Sequence, residues 1–380
     1  MSTVSKDSRS EVSVPFVDLG PVSSAVKASL LAEIEELIDS GLFINGPYVA
    51  EFERAFAEAS DRRHAVGVAS GLDALRLGLV ACGLTPGDEV IVPAMTFVAT
   101  FEAVVQAGGR VVVVDVDEDD AGMDVEAAAA AVSGRTSFLL PVHLYGQMAD
   151  GRRLVGLAER HGLAILEDAC QAHGAERDGL RAGGLGVAAA FSFYPSKNLG
   201  AMGDAGALVC DDEDVVATMK ALREHGQTRR YHAELVGYTA RLDAIQALVL
   251  SHKLPLLAGW NAERRAAAEF YGEMLDGVGD LRLPAVAPGS THVWHVYALR
   301  TADPISLADF LSGRGVATNR HYPEPPHLSA AFASLGLERG AFPVAEAIAR
   351  ETLSLPIYPG ITKRQLDAVV SGVRDFFAQR

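Results

Sequence analysis

The chain reads as an α/β protein: a large domain (residues 12–250) built on a doubly wound, mostly parallel sheet, and a smaller C-terminal α+β domain (residues 251–380). Three observations predict this. Between about residues 60 and 210, short apolar runs alternate with stretches whose apolar residues recur at three- and four-residue steps. The short runs lack strict alternation, as expected of strands covered on both faces. Beyond about residue 250 the rhythm gives way to a long helical stretch. Strands spaced by helices imply parallel crossovers.

The elements follow in chain order. "AVGVAS" predicts a first strand and "LDALRLGLVACGL" the helix after it. "DEVIVPA" precedes helical "FVATFEAVVQAG", and "RVVVVDVD" precedes "DVEAAAAAV", whose alanine run is simply a good helix former. "TSFLLPVHLYG" leads to helical "GRRLVGLAERHG", and "LAILEDA" closes that series. "FSFYP" and "GALVC" predict two further strands of the same sheet. The stretch from Asp243 to Leu275 reads as helix, interrupted or kinked near Pro255. After it, "THVWHVYALR" predicts a strand, "SLADFLSGRG" a helix ending in glycine, and "ITKRQLDAVVSGVRDFFAQ" a terminal helix.

Composition narrows the function. The 380 residues carry 33 Lys plus Arg against 49 Asp plus Glu, a formal charge of −16. So acidic a surface repels phosphate backbones and anionic lipids, which argues against nucleic-acid and membrane-surface roles. Cys82, Cys170 and Cys210 are widely spaced and form no CxxC pair, so neither a disulfide framework nor a cysteine zinc site is indicated. The opening "MSTVSKDSRSEV" lacks the apolar core of a signal peptide, and no run is long enough to cross a bilayer. A soluble cytoplasmic protein is expected.

In open parallel sheets, ligands bind beyond the carboxyl ends of the strands, so those ends are where chemistry is sought. The first ends in Ser70 and Gly71, with Leu72 opening a helix whose free N–H groups suit a phosphate. The second places Phe97 near the crevice, either as core or as a surface on which a flat ring stacks. The fifth ends in Glu167 and Asp168, followed by Gln171 and His173. Asp168 is either a helix cap or a site carboxylate. Asp168 and His173 also suggest a metal, but no third ligand stands at a suitable spacing, so none is expected. Lys197 then sits between two buried-strand patterns, five residues after Ser192. A phosphate cradle, a stacking ring, a strand-end carboxylate and a sheltered lysine together suit pyridoxal 5′-phosphate. That cofactor brings an aldehyde for a lysine, a pyridine nitrogen, a ring and a phosphate. No GxGxxG follows the first strand, which sets aside a nicotinamide enzyme.

Nine stretches carry a closer resemblance: "GPYVAEFE", "GLDALRLGL", "GDEVIVPAMTFVAT", "HLYGQMAD", "EDACQAHGA", "FSFYPSKNLGAMGDAGAL", "ARLDAIQA", "HYPEPPHL" and "SLPIYPG". By these, spanning residues 46 to 360, the sequence resembles the nucleotide-sugar aminotransferases of PLP fold type I, whose fold is that of aspartate aminotransferase. The resemblance implies that Lys197 forms the Schiff base, Asp168 holds the pyridinium nitrogen and Gln171 lies beside the ring's phenolic oxygen. It further implies that Phe97 stacks on the ring, and that Gly71, Leu72 and Ser192 bind the phosphate. The family completes that phosphate site from a second subunit with the asparagine of "G-x-N-x-R". Here the segment is "GYTAR", so Thr239 takes that place with a shorter reach. A homodimer is implied.

The implied reaction is ping-pong transamination from L-glutamate, giving 2-oxoglutarate, to a ketosugar on a nucleoside diphosphate, with Lys197 as both base and acid. The quoted stretches look most like members acting on dTDP-3-keto-6-deoxyhexoses of antibiotic pathways. Members acting on 4-keto sugars or cyclitols share most landmarks and remain the alternative. Substrate contacts are sought among His143, Tyr145, His321 and Tyr322, each of which also has a purely structural reading. Arg241 either receives an anion at a partner's site or makes a buried ion pair. A rival of another class, a non-catalytic regulator on the same fold, is disfavoured by Lys197, Asp168 and Gln171 standing together.

Overall fold

The computed structural model describes residues 12–380. The polar opening read for targeting signals therefore lies, but for Val12, outside the described residues. Seven strands form the main sheet: β1 (His64–Val68), β2 (Glu89–Pro93), β3 (Arg110–Val114), β4 (Thr136–Leu139), β5 (Ala164–Asp168), β6 (Ala188–Ser192) and β7 (Gly206–Cys210). Their order is β1-β7-β6-β5-β4-β2-β3. All pairings are parallel except those of β7, which runs antiparallel to both β1 and β6. The parallel strands carry their crossover helices on the faces, so Val66, Val90, Val92, Leu166 and Leu208 are wholly buried. The helix Gly71–Ala81 lies on one face, against β6 and β7. Gly151–His161 packs its apolar stripe on the other, in a cluster with Ile91, Leu139 and Ile165.

Two glycines let this helix approach the sheet at the site. A Cβ on Gly71 would stand 2.7 Å from Ser192 Cβ and 2.9 Å from Cys170 Sγ. One on Gly206 would stand 2.3 Å from the Ser70 carbonyl oxygen. Any side chain at either position would push the helix N-terminus away from β6 and β7.

The long helical stretch divides where Pro255 predicts: Ala244–Lys253, one 3-10 turn, then Leu257–Leu275. The first piece packs in the core of the large unit through Ala247, Leu248, Val249 and Leu250, so a boundary at residue 250 falls inside a helix. The change of core comes later, since Ala267, Ala268, Tyr271 and Leu275 pack with the C-terminal elements. Val12 and Val14 also join that second core, and Val14 bridges Val316, so residues 12–14 sit with the smaller unit rather than the larger. The strand expected across "THVWHVYALR" shortens to Ser290–Thr291 and Tyr297–Arg300. Between them Trp294 takes φ 49° and stacks on His292 at 3.8 Å, which breaks the extended run. Tyr297–Arg300 pairs antiparallel with Thr352–Leu355. Helices Pro304–Ser312, Pro343–Glu351 and Lys363–Ala378 complete the unit. Among the described residues, no helix is long and apolar enough to cross a membrane.

Candidate active site

The carboxyl ends of β1, β2, β5 and β6 converge on a cavity of roughly 650 Å3. Its walls include Gly71, Leu72, Phe97, Asp168, Gln171, Ser192, Lys197, His321 and Tyr322, each singled out from sequence. Such a volume suits a cofactor-sized ligand with room beside it.

Lys197 rides a loop that leaves β6 after Ser192 and returns at Gly206, which stands opposite Ser192 on β7. The loop is fastened at its neck, where Phe193 N–H donates to Ala205 O and Ala201 N–H to Phe193 O, both at 2.8 Å. Lys197 N–H closes a turn on Tyr194 O. Next to it, Asn198 is buried and donates to Asn261 Oδ1 and Val293 O at 2.8 Å. A lysine on so tethered a loop has little freedom to swing into water. Burial pulls its ammonium below the usual 10.5, against the opposing pull of Cys170 and Asp168.

Asp168 ends β5 and points into the cavity. Its Oδ2 accepts from Thr100 Oγ1 at 2.8 Å and its Oδ1 from Cys170 N–H at 3.2 Å. Thr100 is paired in turn with Thr96 Oγ1 at 2.6 Å. The helix-cap reading of Asp168 fails, because a turn rather than a helix follows β5. Gln171 is a clamp: Oε1 accepts from Tyr145 N–H at 2.7 Å, and Nε2 donates to the Tyr322 hydroxyl at 3.0 Å. Phe97 is about half exposed and faces Tyr322, their ring centroids 5.5 Å apart, across the cavity wall.

At the helix end, Ser70 Oγ accepts from Asp73 N–H and its carbonyl accepts from Ala74 N–H. Among the described residues, Gly71 and Leu72 N–H have no protein acceptor. Those two donors beside the Ser192 hydroxyl make an anion cradle on a helix N-terminus. The histidines nearby are held neutral. Burial, with help from Lys197, drives His321 to about 4 and His295 well below 6.5.

Four expected residues do not reach the cavity. His143 is wholly buried on the far side of β5, where Nδ1 accepts from Ala149 N–H and Nε2 donates to Glu167 at 2.9 Å. Strand alternation sends Glu167 to the face opposite Asp168, and His143 follows it as a structural partner. Tyr145 lines a neighbouring pocket, and its hydroxyl donates to His321 O, which braces the cavity wall from behind. Arg241 grips Glu224 with both Nε and a terminal nitrogen, which satisfies the ion-pair reading within one chain. Thr239 is exposed beyond this cavity, with Oγ1 3.2 Å from His225 Nε2.

Sequence reading overlooked His295, which lines the cavity, and Thr100, which orients Asp168. Thr100 was visible as the residue three after Phe97, on the same side of one helical turn. His295 lies in the irregular stretch mistaken for strand, and nothing in its neighbours marks it.

Comparison with known proteins agrees along the whole chain. The model of the "DegT/DnrJ/EryC1/StrS aminotransferase family" matches residues 25–374. A "dTDP-3-amino-3,4,6-trideoxy-alpha-D-glucose transaminase" of Streptomyces venezuelae is 44% identical, covering 96% of both chains. A "Pleiotropic regulatory protein" of Geobacillus stearothermophilus is 40% identical over 96% of this chain and 99% of its own. Among solved structures, that of S. venezuelae DesV in complex with ketimine intermediate superposes with a TM-score of 0.94 at 44% identity. It covers 97% of this chain and 99% of that one.

Proposed function

The chain belongs to the DegT/DnrJ/EryC1/StrS aminotransferase family and is a pyridoxal-phosphate-dependent sugar aminotransferase; from that premise we propose that it aminates C3 of a dTDP-linked 3-keto-6-deoxyhexose, with L-glutamate as donor. The observation that carries the reading is the convergence of Lys197, Asp168 and the unengaged Gly71 and Leu72 N–H groups on one cavity. The relative named for a 3-amino sugar favours C3 over C4 or a cyclitol.

The residues fit the cofactor. The Gly71 and Leu72 amides with Ser192 would hold its phosphate, Phe97 would cover the ring, and Gln171 would lie beside the phenolic oxygen. Asp168 presents a buried carboxylate, already hydrogen-bonded on both oxygens, where a protonated ring nitrogen would need one. When bound, pyridoxal phosphate supplies an aldehyde that condenses with amines and a ring that takes up the electron pair freed at an adjacent carbon. Lys197 Nζ, biased toward the neutral amine by burial, can take a proton from the α-carbon of a seated amino acid. In the second half of the cycle it returns a proton to the sugar carbon. The neutral histidines around it leave that amine the main titrating base of the wall.

A homodimer completes this proposal. Leu42, Phe43, Ile44, Leu235 and Val236 expose large apolar side chains, and Val236 is 90% exposed. A second copy is the occupant with matching chemistry, and its Thr239 would reach toward the phosphate cradle. The three cysteines are free, which suits the cytoplasm.

The test is the absorbance spectrum of the purified protein with pyridoxal phosphate, before and after L-glutamate. Conversion to the pyridoxamine form is expected, followed by its reversal on adding a dTDP-3-keto-6-deoxyhexose. A spectrum unmoved by any amino donor would support the second reading, a regulator, for which the name of the Geobacillus relative is the supporting observation. Lys197→Ala should lower turnover by about 10²- to 10⁴-fold.

A further inference from the structure

Beneath the Lys197 loop, away from the large cavity, lies a second void of about 20 Å3. It has room for one atom-sized guest. Pro195, Asn198, Lys253, Trp260, Arg264 and Tyr358 are among the residues that enclose it. Two of these are cations buried almost completely, Lys253 at 3% and Arg264 at 4% exposure. Neither has a carboxylate within ion-pair distance among the described residues. Arg264 spends one terminal nitrogen on the carbonyls of Trp294, His295 and Ile357, while its Nε is buried without a partner. Lys253 Nζ has a single acceptor, Gly200 O at 2.7 Å, and so keeps two N–H groups. The Tyr358 hydroxyl is also buried and unpartnered. Asp18 shares the wall but pairs with neither cation, its Oδ1 accepting from Gly20 N–H.

We propose that this void is a binding site for one monoatomic anion of the chloride class, held by Arg264 Nε and Lys253 Nζ. A water molecule offers two acceptor sites and no charge, so it would leave both cations uncompensated, a strongly disfavoured state in the interior. Burial pulls Arg264 down only to about 10, so it stays charged at neutral pH. The anion would brace the loop that carries Lys197, because Pro195, Ser196, Lys197, Asn198 and Gly200 all border the void. The site does not depend on which sugar the enzyme takes.

The experiment follows thermal unfolding of the pyridoxal-phosphate-loaded protein as gluconate is exchanged for chloride or bromide at constant ionic strength. Gluconate is too large for the void. The midpoint should rise and then climb with the logarithm of halide concentration once the site fills. No rise, or one that gluconate reproduces, overturns the site. Lys253→Met should remove the halide dependence, and its persistence also overturns the proposal. Should that variant fail to fold, crystals of the unaltered protein grown in bromide decide. An anomalous peak within hydrogen-bond reach of Arg264 Nε and Lys253 Nζ is expected, and an ordinary water there defeats the proposal.

Discussion

The two faces of β5 carry adjacent carboxylates with opposite fates. Glu167 and Asp168 are both buried, at 0% and 6% exposure, and they are the last two residues of the strand. Glu167 is saturated: it accepts from His143 Nε2 and from the N–H groups of Gly183, Leu185 and Gly186. Asp168 accepts from Thr100 and Cys170 and turns its remaining surface to the cavity. The lesson is that residue type does not distinguish a structural acid from a functional one. Strand alternation chooses the face, and the count of local donors then decides whether the charge is spent or kept for a ligand.

The largest expected effect breaks the functional side. Asp168→Asn keeps the shape and one oxygen for the Thr100 hydroxyl but removes the charge and one acceptor, so turnover should fall by about 10² to 10³-fold, with a smaller loss of stability than at Glu167 because only the Cys170 N–H loses its acceptor. The same variant sharpens the account of Lys197. Asp168 helps hold that ammonium up, so its removal should lower the pH at which Lys197 becomes reactive. Rates of Lys197 acylation against pH should have a midpoint below 10.5 in the parent and lower still in the variant. An unchanged midpoint would mean the two groups do not interact.

Glu167→Gln should do the reverse, leaving activity per folded molecule near that of the parent while destabilising the fold by about 3 kcal/mol. An amide there forces one N–H against the backbone donors of Gly183, Leu185 or Gly186. The pH dependence follows in sign. Burial alone would raise the Glu167 carboxyl, but the His143 hydrogen bond and attraction, with the Gly183 and Gly186 N–H groups, outweigh it and hold it below 4.5. A folded value depressed in this way contributes stability above 4.5, lost as pH falls through the folded value. Denaturation midpoints measured from pH 6 downward should therefore drop less steeply in the variant than in the parent.

Much of this contrast was legible in the sequence, and the part that was not has a physical cause. The β-strand and helix rhythm through residues 60–210 was readable because buried parallel strands and amphipathic helices leave different periods. That Lys197, Asp168 and the Gly71 turn share one cavity was readable because each follows a strand pattern, and strand ends are where an open sheet binds. The two readings of His143 stayed open because the chain after β4 is irregular, so alternation could not be counted past Pro141. The sequence could not choose between the two readings of Arg241 or of Tyr145, because their partners, Glu224 and His321, lie 17 and 176 residues away. No local pattern reveals such pairs. Nor does composition reveal that Lys253 and Arg264 share a void, since helix spacing alone puts neither inside.

The smallest effect tests how finely the functional face is built. Thr100 has one hydroxyl proton, and the 2.8 Å contact with Asp168 Oδ2 takes it, so Thr96 must donate its own proton to Thr100. This two-hydroxyl relay fixes the carboxylate's rotation in a wall where Cys170 N–H is its other donor. Thr100→Val preserves volume and branching but removes the hydrogen bond to a charged acceptor, worth about 1.5–3 kcal/mol. Part of that is recovered as Asp168 turns toward the cavity, so a fall in kcat of roughly tenfold is expected, with KM for the amino donor little changed. Thr100→Ser should restore the rate, because serine supplies the same donor. Stability cannot imitate that pattern, since both variants remove buried contacts and only one removes the proton. Equal rates for the valine and serine variants would mean that Asp168 is held by the backbone of β5 alone.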